Sequence, residues 1–441
     1  MKHNQLIGTV ILLCVFMLLG AGCSTQAELP ERKMTIKLRH FWTKEHDLPV
    51  ARIIEDVVRS YEADHPNVKI EFEGMDQTFY REQKLRSEMV TGNPPDILAL
   101  FGGGEIEPYV RAERLIDLKP FLAERGMDKQ FIDLSPWSFG DGIYGLPTEG
   151  FAEPIFYNKT IFAKLGIAPP ESWDELLNAI KALKENGYIP FALGNNERWP
   201  GAIYYHYILH RNAGPELINQ IVTGQESFNN PFYKAATEAF AELIEMDPFP
   251  KRSNDMSKEA AEELFMSGKA GMYLNGSWVI NVLQGDSAAE SFKNEVGVIN
   301  FPSFDPAWEL ANGLTGGYTI GLALSSKLQG ERLLAAYDLL EDIFAPEVQE
   351  RMVYEAMRFP YSANVQVDYE RTGPIFAELA ELIRSTPHPF IAYDNLLPPS
   401  VSSTFFDVTQ SLIEQEMDTG EVLKKMQESI IQYRELIRKG G

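Results

Sequence analysis

Residues 35–74 read TIKLRHFWTKEHDLPVARIIEDVVRSYEADHPNVKIEFEG, and this stretch decides the class of the fold. TIKLRHF predicts a strand, and in DLPVARIIEDVVRSYEADHP the apolar residues recur at the spacing of one helix face. Those residues are Val50, Ile53, Ile54, Val57, Val58 and Tyr61. Pro49 suits the first helical turn and Pro66 ends the helix, after which NVKIEFEG alternates apolar and polar residues as a second strand. Strand, helix and strand together predict a right-handed βαβ unit and an α/β fold.

The same rhythm continues along the chain. YREQKLRSEMVTG predicts a helix, and DILALF after the GNPP turn predicts a strand that is covered on both faces. A second unit is predicted to begin near YGLPTEGFAEPIFYNKTIF, residues 144–162. After it, Ser172 and Glu175 form a capping box for a helix that ends before Gly187. SKEAAEELFMSGKAGM, residues 257–272, is predicted to be helical, as is most of the C-terminal part.

The first 22 residues have the charged start and apolar core of an export signal. They end in LGAG before Cys23, and Leu19–Cys23 resembles the bacterial lipobox, with Gly20 standing where the pattern usually has an aliphatic residue. The resemblance implies cleavage before Cys23, which then carries a diacylglycerol. The alternative is a permanent membrane anchor, but about 17 apolar residues is the short limit for spanning. Residues 23–33 are polar and predict a tether between lipid and folded body.

The charge balance excludes several classes of partner. The chain has 63 acidic and 40 basic residues, a formal net charge of −23, and such a field repels nucleic acid and anionic lipid. Only two cysteines occur, Cys14 inside the signal and Cys23, so no disulfide or cysteine metal site is expected. We interpret the acidity as a device for solubility outside the cell.

Motifs for catalysis, cofactors and metals are missing from the sequence. It contains no G-x-S-x-G, no P-loop and no H-E-x-x-H, and His206 and His210 lack a third ligand beside them. FGGGEIE lacks the G-x-G-x-x-G spacing, so its glycines predict a close backbone approach. We therefore expect no catalytic residue, no metal and no cofactor. Paired carboxylates of a glycoside hydrolase stay open, because their separation in space decides the matter.

Aromatic residues next to glycines, prolines and carboxylates recur at predicted strand ends. Together with PPDILALF, FYNKTIFAKLGIAPPESWDELLNAIKAL and LFMSGKAGMYLNGSW, they resemble the sugar-binding family of extracellular solute-binding proteins that serve ATP-binding-cassette importers, the family of maltose-binding protein. The resemblance extends from Thr35 to Tyr433. It implies a two-lobed α/β fold, periplasmic-binding-protein-like, with a ligand cleft between lobes that the chain joins near Glu149, Gly316 and Phe359. The predicted lobes are 34–149 with 317–357, and 150–316 with 358–438.

The ligand-contact candidates come from strand ends and from this resemblance. Trp42 and Thr43 follow directly on the first strand, where open α/β sheets bind ligands. Flat aromatic rings suit the apolar faces of a sugar, and fixed polar groups suit its hydroxyls. The full set is Trp42, Thr43, Asp76, Gln77, Glu149, Tyr205, Trp278, Gly317, Tyr318, Arg358, Tyr393 and Asp394.

The sequence thus predicts a monomeric, lipid-anchored receptor on the outer face of the cell membrane. It is expected to close on a carbohydrate, most simply an oligosaccharide, and to deliver it to the permease of an importer. Two alternatives stay open at this point. One is a lipid-anchored carbohydrate-active enzyme, and the other is a binding protein for a ligand that is not a sugar.

Overall fold

A computed structural model describes residues 33–285 and 288–440 of the chain. The predicted signal, Cys23 and nearly all of the tether lie outside these residues. The strands are β1 Met34–His40, β2 Val68–Gly74, β3 Ile97–Phe101, β4 Ser138–Phe139, β5 Gly142–Ile143, β6 Leu146–Pro147, β7 Phe151–Ala152, β8 Ile155–Asn158, β9 Ile189–Ala192, β10 Ala270–Leu274, β11 Val296–Ile299, β12 Gly316–Gly317 and β13 Ile320–Leu324.

Helices cover most of the remaining chain. The α-helices are Leu48–Asp64, Gln77–Phe79, Leu85–Thr91, Glu107–Arg111, Lys119–Arg125, Lys159–Leu165, Trp173–Glu185, Trp199–Ala213, Leu217–Thr223, Pro231–Glu245, Lys258–Met266, Ile280–Leu283, Glu290–Glu295, Gly330–Ile343, Pro346–Tyr354, Pro374–Ser385, Tyr393–Leu396, Pro399–Ile413 and Thr419–Gly440. A π-helical stretch, Tyr80–Lys84, joins the second and third of these.

The first lobe is built on a five-stranded sheet in the order β2-β1-β3-β13-β6. β1 runs parallel to β2 along seven paired residues and parallel to β3, whereas β13 is antiparallel to β3 and β6. The predicted strand–helix–strand unit is confirmed, since Val50, Ile53, Ile54, Val58 and Tyr61 point into this lobe's core.

The second lobe is built on a four-stranded sheet in the order β11-β8-β10-β9. The capping box of Ser172 and Glu175 is present, and Gly187 after this helix has a φ of 81°. The prediction of one helix over residues 257–272 was wrong. That helix ends at Met266, Gly268 turns the chain at a φ of 69°, and AGMYL forms the buried strand β10.

Two separate hydrophobic cores accompany the two sheets, and short connections join them. β7 pairs with β12, and Gly150 forms an isolated bridge with Phe359. Phe151 and Tyr361 both pack in the first core, although the predicted boundaries assign them to the second lobe. The boundary residues therefore stay a prediction, while the two-lobed architecture is the observed one.

Candidate functional site

A partly open cavity lies between the two lobes, with about 670 Å³ of empty space that includes solvent at its mouth. Side chains from both sheets' connections and from facing helices form its wall. The lining residues are Phe41, His46, Asp47, Gln77, Arg81, Phe101, Glu149, Phe151, Glu153, Trp199, Ala202, Ile203, His206, Lys258, Trp278, Ile320, Asp394 and Asn395.

Aromatic rings make the apolar part of the wall. The Trp278 ring centroid lies 5.6 Å from that of Phe151 and 5.7 Å from that of Trp199, the latter pair edge to face. Trp278 follows β10 after a short turn, and a Cβ on Gly276 would stand 2.2 Å from its ring. Gly276 therefore lets the indole fold back over the turn and face the cavity.

One face of the helix Trp199–Ala213 supplies four wall residues: Trp199, Ala202, Ile203 and His206. Their spacing of three and four residues places them on one side of the helix. Tyr205 lies on the opposite side, where its ring stacks between those of Phe240 and Phe405.

A buried ion cluster lies where the chain connects the lobes. Arg358 Nη2 donates to Asp47 Oδ1 at 2.9 Å, and Arg358 Nε lies 2.5 Å from Glu149 Oε2. Burial raises the pKa of Glu149 to about 7, with Arg358 opposing the shift and Asp47 adding to it. Arg358 also donates to the backbone carbonyls of His46 and Trp278, so it connects the first lobe to the second.

Two further carboxylates, those of Glu153 and Asp394, lie on the cavity wall. Glu153 is 4% exposed, and its Oε2 lies 3.1 Å from His206 Nε2 without a hydrogen bond. Burial raises the pKa of Asp394 to about 6, with Arg81 opposing the shift and Glu153 adding to it. Both carboxylates face the cavity and can accept hydrogen bonds from a ligand.

Contacts between the lobes surround this cavity. A backbone approach is one of them, because Gly104 N donates to Asn395 O at 2.6 Å and a Cβ on Gly104 would stand 2.5 Å from Leu397 O. The close approach predicted for the triple glycine is thus confirmed, and the segment that it meets belongs to the other lobe.

Three ion pairs form a further connection between the lobes, and together we call them the rim. Arg198 pairs with Glu82 of the first lobe and with Asp407 of the second, and Lys44 Nζ lies 3.3 Å from Glu197 Oε1.

Metal-binding clusters and membrane-spanning helices are both absent from the described residues. No group of three His, Cys, Asp or Glu side chains there could hold a metal ion. Within the same residues, no helix combines the length and apolar character needed to cross a membrane.

Comparison with known proteins assigns this two-lobed chain to a family. Residues 47–350 match the family described as bacterial extracellular solute-binding protein. The chain belongs to this family. Its members are binding proteins and not enzymes.

Relatives and solved structures agree with the assignment. An uncharacterised ABC-transporter extracellular-binding protein of Pyrococcus horikoshii is 28% identical over 278 residues, which are 60% of this chain and 62% of that protein. The melibiose/raffinose/stachyose-binding protein of Bacillus subtilis is 24% identical, over 70% of this chain and 71% of its own. A solved chitin oligosaccharide binding protein is 26% identical with a TM-score of 0.87, covering 91% of this chain and 98% of that one. The match thus spans about three fifths of the length of the Pyrococcus relative.

Four of the twelve predicted contact residues line the cavity of this solute-binding protein: Gln77, Glu149, Trp278 and Asp394. Trp278 and Asp394 come from the second lobe, Gln77 comes from the first, and Glu149 lies on a connection. Ligand contact by these four stays a prediction, and their shared wall supports it.

Three predicted aromatic contacts lie in the lobe cores instead of the wall. Trp42 is 1% exposed in the first core, where its ring stacks with His40 at 5.1 Å. A tight turn follows β1, since Thr43 N donates to Phe41 O at 2.8 Å, and Phe41 instead of Trp42 reaches the wall. Tyr205 and Tyr393 are buried in the second core because their helices turn them inward.

The remaining predicted residues lie near the cavity without lining it. Thr43 is exposed, Asp76 caps the following helix, and Gly317 pairs with β7 at a φ of 138°. Tyr318 packs against the first core. Arg358 stands behind the wall and acts on the cavity through its carboxylate partners.

Fourteen wall residues are absent from the predicted contact set. They are Phe41, His46, Asp47, Arg81, Phe101, Phe151, Glu153, Trp199, Ala202, Ile203, His206, Lys258, Ile320 and Asn395. The helical spacing of Trp199, Ala202, Ile203 and His206 was a usable signal. Lys258 had no such signal, because it lies on a different helix from Trp199. Its ammonium reaches the wall over the Trp199 ring, 4.8 Å from the ring centroid.

Proposed function

We propose that this protein is the carbohydrate-binding component of an ABC importer and that it closes on a short oligosaccharide. The observation that carries the proposal is the cavity between the lobes, which combines aromatic rings with buried hydrogen-bonding groups. Trp199, Trp278 and Phe151 offer flat surfaces for the C–H faces of a sugar, while Gln77 and Glu149 offer partners for its hydroxyls. The names of the Bacillus relative and of the chitin oligosaccharide binding protein support the same class of ligand.

Closure follows from the placement of these groups on both lobes. A ligand shifts an equilibrium between open and closed forms only as far as it binds the closed form more tightly. A sugar that touches Trp278 and Gln77 together gains contacts that exist only when the lobes meet. The permease would then recognise the closed form, and a separate ATPase would supply the energy of transport.

Lipid anchoring at Cys23 is the part of the proposal that rests on sequence alone. The apolar stretch, the small residues before Cys23 and the polar tether support it. If it holds, Cys23→Ser moves the protein from the membrane fraction to the medium or leaves it unprocessed, and sugar affinity stays unchanged. Unchanged membrane attachment of this variant would favour a permanent membrane anchor.

Thermal unfolding of the protein with a panel of mono- and oligosaccharides tests the central proposal. We expect a rise in melting temperature with at least one oligosaccharide and no cleavage product by chromatography after long incubation. Release of shorter sugars would instead support a glycoside hydrolase. No stabilisation by any carbohydrate, combined with stabilisation by a peptide or phosphodiester, would contradict the sugar proposal.

A further inference from the structure

Carboxylates outnumber available cations on the cavity wall. Asp47, Glu149, Glu153 and Asp394 all line it. Two full cations, Arg81 and Lys258, line it as well, but each already has an acidic partner outside the wall. Those partners are Glu105, 2.5 Å from Arg81 Nη2, and Glu197, 3.3 Å from Lys258 Nζ.

The four wall carboxylates form two groups that differ in the positive charge beside them. Asp47 and Glu149 share the single guanidinium of Arg358, which is itself buried and bound to backbone carbonyls. Asp47 also has His46 beside it, with Nε2 3.3 Å from its Oδ2.

The second group is the more open to a ligand. Glu153 is buried, and its Oε2 has an ion contact with His206 but no hydrogen bond. His206 Nε2 also lies 3.1 Å from Thr315 Oγ1, so this ring nitrogen is shared between two oxygens. The charged groups that act most strongly on Asp394 are Arg81, Glu153 and His206. Arg81 already binds Glu105 and His206 already contacts Glu153, so neither cation pairs with Asp394 alone.

Buried carboxylates without full compensation are unfavourable, and two events can relieve them. One is the uptake of a proton. Burial and the nearby Glu153 raise the pKa of Asp394 to about 6, which makes this uptake easier. The other is a positive charge brought in by the ligand. Sugar hydroxyls donate hydrogen bonds but bring no charge, so a neutral sugar leaves the excess in place.

We propose that the sugar bound in this cavity carries a free amino group, and that its ammonium lies against Glu153 and Asp394. The inference rests on the proposed function, since it specifies the chemical class of the carbohydrate. An ammonium has three N–H donors, enough to bond both the Asp394 carboxylate and Glu153 Oε2, which has no hydrogen bond. Such charge-assisted bonds are about twice as strong as neutral ones, so an amino sugar is preferred over its neutral counterpart.

A matched pair of disaccharides tests this by isothermal titration calorimetry of the full protein at pH 7. The probes are N,N′-diacetylchitobiose and the same disaccharide with both acetyl groups removed, beside a panel of neutral oligosaccharides and their amino-sugar counterparts. We expect an amino sugar to bind at least about tenfold more tightly than its neutral counterpart.

Asp394→Asn, which keeps the shape of the side chain, isolates the charge. It is expected to weaken the amino sugar about tenfold and to change the neutral sugar by less than about threefold. Asp174→Asn, on an exposed first turn of a second-lobe helix, is the control and should change neither affinity.

Two results overturn the inference and leave the proposed function intact. One is tighter binding of the neutral member throughout the panel, and the other is an equal loss for both members in Asp394→Asn. If no carbohydrate in the panel binds at all, the proposed function fails together with this inference.

Discussion

The interior of the cavity and its rim join the same two lobes by different physical means. The interior uses buried rings and carboxylates, with Glu149 and Glu153 no more than 4% exposed. The rim uses ion pairs that water reaches, since the Asp407 side chain is 63% exposed. Exposed pairs are worth about 0–1 kcal/mol, whereas a hydrogen bond to a charged group is worth about 1.5–3 kcal/mol and an aromatic pair adds about 0.5–1.5 kcal/mol to its area burial. We therefore expect the interior to determine which ligand binds and the rim to adjust how stable the closed form is.

The largest effect is expected from Trp278→Ala, which removes the central ring of the interior. Loss of a buried aromatic contact costs about 3 kcal/mol of binding free energy, so affinity for the sugar should fall about 100-fold or more. Calorimetric titration measures the change.

Trp173→Ala is the matched control for this variant, because Trp173 is buried in the second core against Phe304 and away from the cavity. It should lower the free energy of unfolding by about 3 kcal/mol and leave affinity nearly unchanged. If Trp278→Ala lowered stability and left affinity unchanged, Trp278 would have a purely structural role.

Glu149→Gln tests the electrostatics of the interior through pH. The carboxyl has an ordinary pKa of 4.5 and a pKa of about 7 in the fold, so the native state binds the proton more tightly. Between about pH 4.5 and 7 this group therefore makes the free energy of unfolding fall as pH rises, by an amount on the order of 3 kcal/mol. The Gln variant should show a flatter profile in denaturant titrations across this range. Identical slopes for the two proteins would contradict the assignment.

Gly104→Ala tests the backbone approach that lies between interior and rim. The added Cβ would stand 2.5 Å from Leu397 O and 2.6 Å from Leu396 O of the other lobe, so the two backbone segments must move apart. Overpacking of this kind costs about 1–3 kcal/mol, which predicts roughly tenfold weaker sugar binding. Small-angle scattering should show a smaller ligand-induced compaction.

The exposed Gly420→Ala is the control for this variant, because only one side-chain oxygen comes within 4 Å of the added Cβ. Normal closure in Gly104→Ala would show that the lobes meet differently.

The smallest effect is expected from Arg198→Ala at the rim. It removes the pairs with Glu82 and Asp407, and affinity should fall only about two- to fivefold at low salt. The difference between the variant and the unchanged protein should disappear in high salt, because salt screens exposed charges. A loss as large as that of Trp278→Ala would remove the distinction between interior and rim.

The family resemblance, and not a local pattern, pointed to Trp278 and Glu149. The buried strand before Trp278 was predicted to be part of a helix, and Glu149 was placed at a lobe connection that the resemblance implies. Trp42 could not be separated from Phe41, because the tight turn after β1 decides which of the two adjacent side chains reaches the wall. Lys258 and Asp47 reach the wall from unrelated elements, and no spacing along the chain reveals such a meeting.

By itself, the sequence determined the α/β class, the strand–helix–strand unit over residues 35–74, the capped helix after Ser172 and the family resemblance. The first three depend on periodicity, capping and turn chemistry, which act over a few neighbouring residues. The resemblance depends on longer stretches of matching sequence. Only the tertiary structure decided that Glu153, Asp394 and His206 share one wall, and that Arg358 serves two carboxylates from behind it. Charge compensation is a sum over groups that are close in space, and the fold brings together residues that lie hundreds of positions apart.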